Sequence, residues 1–268
     1  MKMRSKKIIM RKKKLFLFLG ILSFLCLLCA VLFLLFYDYY PIESRVEKIE
    51  KYAKHDTEDY TTTGWLRVQG TNIDFPIIYA PYYDFSDKTD SFLWNEVDAD
   101  ELLNQITVSG HNILNLSSNP LVADSRHTRF EQLMSFTYLD FVKENKYIQY
   151  TANGEDYIYK IFAVSYPEDD DIPKYTKEDL SKKEMRQYIK QSLDDSLFQF
   201  DIDVDEDDKI LSLVTCTRMY GHYNNIEFKV DARLVRKGEL KLNYDVVPTE
   251  KYEEVKDIME GGEKNGKA

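Results

Sequence analysis

The chain has 268 residues, 44% of them hydrophobic, and carries a formal net charge of −10. That composition is globular and long enough for one or two domains with a sizeable core. Eight basic residues precede Leu15; setting them aside leaves about −18 on the remainder, and an acidic domain lacks the basic face that phosphate binding needs, which argues against nucleic acid as a partner.

The N-terminus departs from the rest. Lys2, Arg4, Lys6, Lys7, Arg11, Lys12, Lys13 and Lys14 lead into an uncharged run of 23 residues from Leu15 to Tyr37, against the roughly 20 that one helix needs to cross a bilayer. A secretory signal has a shorter apolar core and a small-residue cleavage site, and residues 31–40 offer no clear one. An uncleaved anchor is expected, with a cleaved export signal as the alternative. The basic flank before the span, and Asp38 after it, place the N-terminus in the cytoplasm and the bulk of the chain outside. The expected divisions are a cytoplasmic basic segment (1–14), a transmembrane anchor (15–37), a linker and N-terminal helix (38–60), an exterior domain (61–248) and a charged tail (249–268).

Beyond the anchor, Ile42, Val46, Ile49 and Tyr52 recur at spacings of three and four among charges, an amphipathic helix pattern within Pro41 to His55. Gly64 to Gly70 alternates as a strand closed by a Gly turn, and Ile73 to Tyr79 gives a second strand interrupted by Pro76, so the pair reads as a hairpin. Residues 80–100 read as a loop whose Tyr82, Tyr83, Phe85, Phe92, Leu93 and Trp94 belong to core and rim. Ile106 to Asn112, Ile-Thr-Val-Ser-Gly-His-Asn, is a short β-type run ending in Gly110 and His111. A short helix, a break and a second helix are expected from Arg129 to Asn145, then strands at Lys146 to Ala152 and Tyr157 to Tyr166 joined by a turn at Asn153-Gly154. Leu180, Met185, Tyr188, Ile189, Leu193 and Leu197 repeat at helical spacing across Tyr175 to Phe200, with Thr176 and Asp179 as a start signal of the capping-box kind. Lys209 to Arg218, Lys-Ile-Leu-Ser-Leu-Val-Thr-Cys-Thr-Arg, is an apolar β run that ends on Cys216. Phe228 to Arg236 alternates Phe228, Val230, Ala232 and Leu234 against mostly polar residues as a last strand, and the tail is partly helical around Glu250 to Met259.

Two strand ends thus offer a thiol and an imidazole. Cys26 and Cys29 lie in the apolar run, so the exterior domain has no second cysteine with which Cys216 would form a disulfide. Secreted domains usually pair their cysteines or exclude them, and one retained thiol there points to use of its chemistry. A thiolate is the reactive form of cysteine and imidazole titrates near neutrality, so Cys216 and His111 can serve as nucleophile and general acid/base. On spacing alone, a half-buried cysteine and a loop histidine remain the plainer alternative.

The flanking residues add to this. Ser-Gly-His-Asn at 109–112, followed about a hundred residues later by Leu-Val-Thr-Cys-Thr-Arg at 213–218, resembles the sortase signature, and Gly-Trp-Leu-Arg-Val-Gln-Gly-Thr-Asn-Ile-Asp-Phe-Pro-Ile-Ile at 64–78 resembles the opening hairpin of class B sortases. The long helix before the Cys strand fits class B as well. The resemblance covers about Thr61 to Val235 and implies a mainly β fold with added helices: a closed eight-stranded sortase-type barrel, with an N-terminal helix and a long helix inserted before the Cys strand. It implies a cysteine transpeptidase, needing no cofactor, that cleaves a C-terminal sorting motif in secreted proteins and passes the acyl group to an amine of a peptidoglycan precursor or a pilin subunit. Cys216 would be the nucleophile and His111 the acid/base. Class B sortases also carry an Arg at the start of the last strand, and aligning that run on Ala232-Arg233-Leu234-Val235 puts Glu227 there instead. A carboxylate cannot donate to an oxyanion unless protonated. Arg218 is the nearest substitute, with Arg233 facing the same side farther away and His222 a weaker candidate for substrate contact or for acid/base work.

Other classes fit less well. Papain-like hydrolases place Cys before His, the reverse of the order here, and a caspase-like Cys has a different surround. A catalytically altered, sortase-like binding or scaffolding domain at the membrane surface stays open because of Glu227. Asp201, Asp203 and Asp205 imitate the start of a calcium loop, but Glu206 replaces its Gly and Ser212 its last Glu, so a solvated acidic loop is expected.

Overall fold

The structure is a computed structural model that describes residues 2–36, 42–80, 93–95, 102–112, 130–168, 179–217, 219–220, 225–239 and 243–265. The chain divides into two units, Met1–Pro41 with Gly238–Asn243 and Ile42–Lys237 with Tyr244–Ala268. The first contains one helix, α1 (Lys2–Phe36), in which Lys13–Leu32 has a mean hydropathy of 3.0 and is long and apolar enough to cross a membrane.

The second unit is mainly β. Its strands are β1 (Thr61–Val68), β2 (Asp74–Tyr79), β3 (Leu93–Asn95), β4 (Gln105–Ser109), β5 (Tyr147–Ala152), β6 (Glu155–Ser165), β7 (Phe198–Phe200), β8 (Ile210–Cys216), β9 (Glu227–Leu234) and β10 (Val246–Pro248). Among the described residues, eight of these close into a barrel in the order β1-β2-β3-β4-β8-β9-β6-β5, seven of them with five residues or more and β3 with three. β7 and β10 form a separate antiparallel pair. Leu66, Val68, Ile77, Val108, Tyr150, Tyr159, Leu211, Leu213, Phe228 and Val230 are among the buried residues of the barrel strands.

Local chemistry explains several boundaries. The turn between β5 and β6 is Asn153-Gly154, with φ of 54° and 75°, the left-handed pair that matches the twist of a two-residue hairpin. The helix before the Cys strand, α4 (Lys182–Asp195), starts later than Thr176 and Asp179 suggest. Ser181 is its N-cap, and Ser181 with Glu184 makes both bonds of a capping box. Asp179 is used elsewhere, accepting from the Asn104 amide at 2.6 Å just before β4. The helix also ends sooner than the periodicity suggests. Ser196 is extended, and Phe198–Phe200 is drawn into a ladder with Val246–Pro248 that no local pattern announces. Phe130–Thr137, a buried 3-10 helix, and α3 (Leu139–Glu144) match the expected short helix, break and helix. Of the apolar residues expected in the loop before β4, Leu93 and Trp94 lie among the described residues and the others outside them, and at those two the expected loop is instead the strand β3, held by pairing with β2 and β4. The tail helix, α5, spans Glu250–Asn265.

The N-terminal helix, α2 (Val46–Tyr52), is fastened to the barrel by charge. Arg45, 3% exposed, donates through Nε and Nη2 to both Asp74 oxygens at 2.9 and 3.0 Å, Lys48 Nζ reaches Asp74 at 3.0 Å, and the Trp65 indole donates to it at 2.5 Å. Burial disfavours the Asp74 charge, but these donors, Arg45 foremost, outweigh it and hold the carboxyl below its ordinary value. Asp74→Asn is therefore expected to lower stability at pH 7 by about 1–3 kcal/mol. A depressed carboxyl stabilises above its unfolded pKa, about 3.9, and loses that contribution as pH falls through the folded value. Denaturant unfolding of both proteins should show a gap that closes below about pH 4.

Candidate active site

β8 is buried from Ile210 to Thr215 and exposed only at its last residue, Cys216. It lies between β4, parallel to it, and β9, antiparallel. The β4 ladder runs from Gln105↔Ile210 to Ser109↔Val214. Two residues farther along each chain stand His111, just past the end of β4, and Cys216, the last residue of β8, so a ladder whose strands lie about 4.8 Å apart delivers both to one rim. Hydrogen bonds fix the two chain ends beyond the ladder. The Gly110 amide donates to Val214 O at 3.3 Å, Thr215 Oγ1 to Gly110 O at 2.7 Å, and Asn112 Nδ2 to Cys216 O at 3.0 Å. On the other side the Phe130 amide donates to His111 O at 3.1 Å, tying the His turn to the buried 3-10 helix. His111 is half-buried and Asn112 buried. On β9, Glu227 is the register partner of Cys216. The thiol thus stands in the middle of three strand ends, with an imidazole on one side and a carboxylate on the other.

Alternation places these side chains on one face. Ser212 on β8 and Asp231 on β9 point to α4, where Tyr188 donates to Asp231 Oδ1 at 2.7 Å and lies 2.6 Å from Ser212 Oγ. Steps of two from Ser212 reach Val214 and Cys216, and from Asp231 they reach Lys229 and Glu227. Gln105, at the start of β4, joins the same face by donating to Ser212 Oγ at 3.2 Å. The barrel's outer polar face, which α4 covers at Ser212, Lys229 and Asp231, therefore opens at the Cys216 end.

No protein-family model and no curated protein sequence matches the chain. Solved structures do. Sortase B of Clostridium perfringens aligns with a TM-score of 0.56 at 27% identity, covering 70% of this chain and 100% of that one. Sortase B of Staphylococcus aureus gives 0.53 at 19%, covering 71% and 85%, and that of B. anthracis gives 0.55 at 19%, covering 75% and 92%. The fold is that of the class B sortases. The expected barrel, with its helix before the Cys strand, is what the chain adopts, and sortase function in general is what this likeness supports.

Within the sortase barrel the other expected site residues fare differently. Arg218 and His222 lie outside the described residues. Arg233 shares the face of Glu227, but six residues along β9 at about 3.3 Å each put it some 20 Å away. It is 1% exposed and donates to Asp203 O at 2.9 Å. The acidic stretch at 201–208, expected as a solvated loop, gathers around a cation supplied by the chain itself. Arg236 donates to Asp208 from Nε and Nη2, both at 2.7 Å, and pairs with Asp203 and Asp205.

Pattern reading also missed a buried ion pair. The polar positions of the last strand read as a solvent face, yet Lys229 is 4% and Asp231 0% exposed, with Lys229 Nζ 2.9 Å from Asp231 Oδ2 and 3.1 Å from Ser192 Oγ on α4. Burial works against the Lys229 charge; the adjacent Asp231 carboxylate and the Tyr188 ring more than offset it, so the ammonium is held above its ordinary value. The inserted helix, which sequence spacing could not dock, turns Lys229 and Asp231 inward. Lys229→Met leaves Asp231 buried without its cation and is expected to cost about 3–5 kcal/mol in denaturant unfolding, most of which Lys229→Met with Asp231→Leu recovers. Equal losses in the single and double variants would show that the pair does not act as a unit.

Proposed function

We propose that the chain is a membrane-anchored sortase, anchored through residues 15–37 with its N-terminus cytoplasmic, and that the exterior domain over 61–248 cuts a sorting motif in secreted proteins and joins the new carboxyl end to an amine. The amine belongs to a peptidoglycan precursor or a pilin subunit. What carries this proposal is the matched register of His111 and Cys216 on adjacent parallel strands of a barrel whose solved neighbours are sortase B enzymes. One of those neighbours is a sortase B–substrate complex from S. aureus and another is a sortase B complexed with triglycine, in keeping with a peptide donor and an amine acceptor.

Cys216 attacks the threonine carbonyl of the motif, and the tetrahedral intermediate collapses to a thioester as His111 protonates the leaving amine. The acceptor amine then attacks, and His111 takes up a proton. These roles need the thiol reachable from solvent and an imidazole beside it, and Cys216 is exposed at the strand end. Cys216→Ala is expected to abolish acyl-enzyme formation and transfer, with His111→Ala nearly as damaging. Cys26→Ala and Cys29→Ala should leave transfer intact. The check is intact-mass detection of a thioester adduct with the C-terminal sorting peptides of proteins secreted by the same cell. An adduct that persists in Cys216→Ala would remove the nucleophile assignment.

A positive donor is needed for the oxyanion, and we assign it to Arg218, two residues after Cys216 in the sequence, because Glu227 holds the start of β9. Arg218→Ala should slow acylation by about 10²–10³-fold with little change in stability. Single-turnover acylation near the wild-type rate would give the role to another group. A sortase-like binding or scaffolding domain is the second possibility, favoured by Glu227 at the thiol; it is discarded once Cys216 forms a thioester.

A further inference from the structure

Glu227 is the cross-strand partner of Cys216, and directly opposed residues of an antiparallel pair hold their Cβ atoms about 4.5–5.5 Å apart on one face. It is half-buried. Its amide donates to Pro167 O at 3.0 Å, which ties the start of β9 to the chain that follows β6. A carboxylate here opposes the first half of the reaction, in which negative charge develops on sulfur and on the carbonyl oxygen. It suits the second half. The acceptor is an amine, largely protonated at neutral pH given ordinary pKa values of about 8 for an α-amino group and about 10.4 for lysine.

We infer that Glu227 is the acceptor subsite, a specificity residue that docks the ammonium of the incoming nucleophile beside the Cys216 thioester. The inference rests on the transpeptidase proposal above and adds the recognition of its second substrate. Charge-assisted hydrogen bonds of about 2.7–2.9 Å from the ammonium to the carboxylate hold its nitrogen next to the acyl carbon. The N–C bond forms and the C–S bond breaks. Of the ammonium's three protons, one first leaves through the Glu227 carboxylate to solvent, freeing the lone pair that makes the N–C bond; of the other two, one passes through His111 to the departing sulfur and one stays on the amide nitrogen.

The test loads the full chain, in detergent micelles, with a short peptide ending in a threonine benzyl thioester, which exchanges its acyl group onto Cys216 without the full sorting motif. Peptide mapping places the adduct. Its release is then timed against triglycine, a cation at neutral pH, and against hydroxylamine, which is uncharged there. Glu227→Gln is expected to raise the triglycine concentration for half-maximal release by at least about tenfold, the scale of one charge-assisted hydrogen bond at a half-buried site, while shifting that for hydroxylamine by less than about threefold. Glu227→Lys should raise the triglycine value further. Trapping of Cys216 by a methanethiosulfonate reports that each variant is folded with its thiol exposed. Unchanged triglycine dependence in both variants, or equal shifts for the two nucleophiles, overturns the inference alone. Absence of any adduct on wild-type Cys216 overturns the transpeptidase proposal and this inference with it.

Discussion

The parallel ladder between β4 and β8 is the constraint on which the chemistry depends. Parallel strands cannot be joined by a short hairpin, and here about a hundred residues, including β5, β6 and α4, separate Ser109 from Ile210. His111 and Cys216 meet because the ladder keeps step as far as Ser109↔Val214 and is then locked by Thr215, Gly110 and Asn112. A one-residue slip would turn the thiol or the imidazole toward the barrel interior. The hydrogen bond from Asn112 to the Cys216 carbonyl guards that register where the ladder itself ends.

The same strands carry a buried network that looks expensive. Two charges at Lys229 and Asp231, with Tyr188, Ser192, Ser212 and Gln105, are taken out of water where aliphatic side chains would pack without a desolvation cost. Its geometric effect is specific. It reaches β4 through Gln105, β8 through Ser212, β9 through Lys229 and Asp231, and α4 through Tyr188 and Ser192. The three strands that end at His111, Cys216 and Glu227 are thus held in one arrangement from behind, since a shifted α4 would leave buried polar groups unsatisfied.

Charge also closes the opposite end of this face. Arg236 draws Asp203, Asp205 and Asp208 into a compact loop, and Arg233 binds the Asp203 carbonyl beneath it. The segment that resembles a calcium loop is organised by a guanidinium fixed to β9's own extension, so the β8 strand begins from a defined point.

Short-range patterns determined much of this protein. Alternation marked the strands and Asn153-Gly154 fixed a hairpin, because each signal depends on contacts within a few residues, while the motifs around His111 and Cys216 pointed to the sortase barrel by resemblance. The apolar run likewise marked a helix able to cross a membrane. Tertiary structure decided the rest. Asp179 did not start α4 because Asn104 takes it, while the start itself lies in the local capping box of Ser181 and Glu184. Phe198–Phe200 became a strand only because Val246–Pro248 arrives to pair with it. Lys229, Asp231 and Arg233 look solvent-facing by alternation, yet they are buried once α4 and the 201–208 loop cover them. The opposition of Glu227 to Cys216 is likewise a matter of register between two strands, set by long-range hydrogen bonds that neither segment contains by itself.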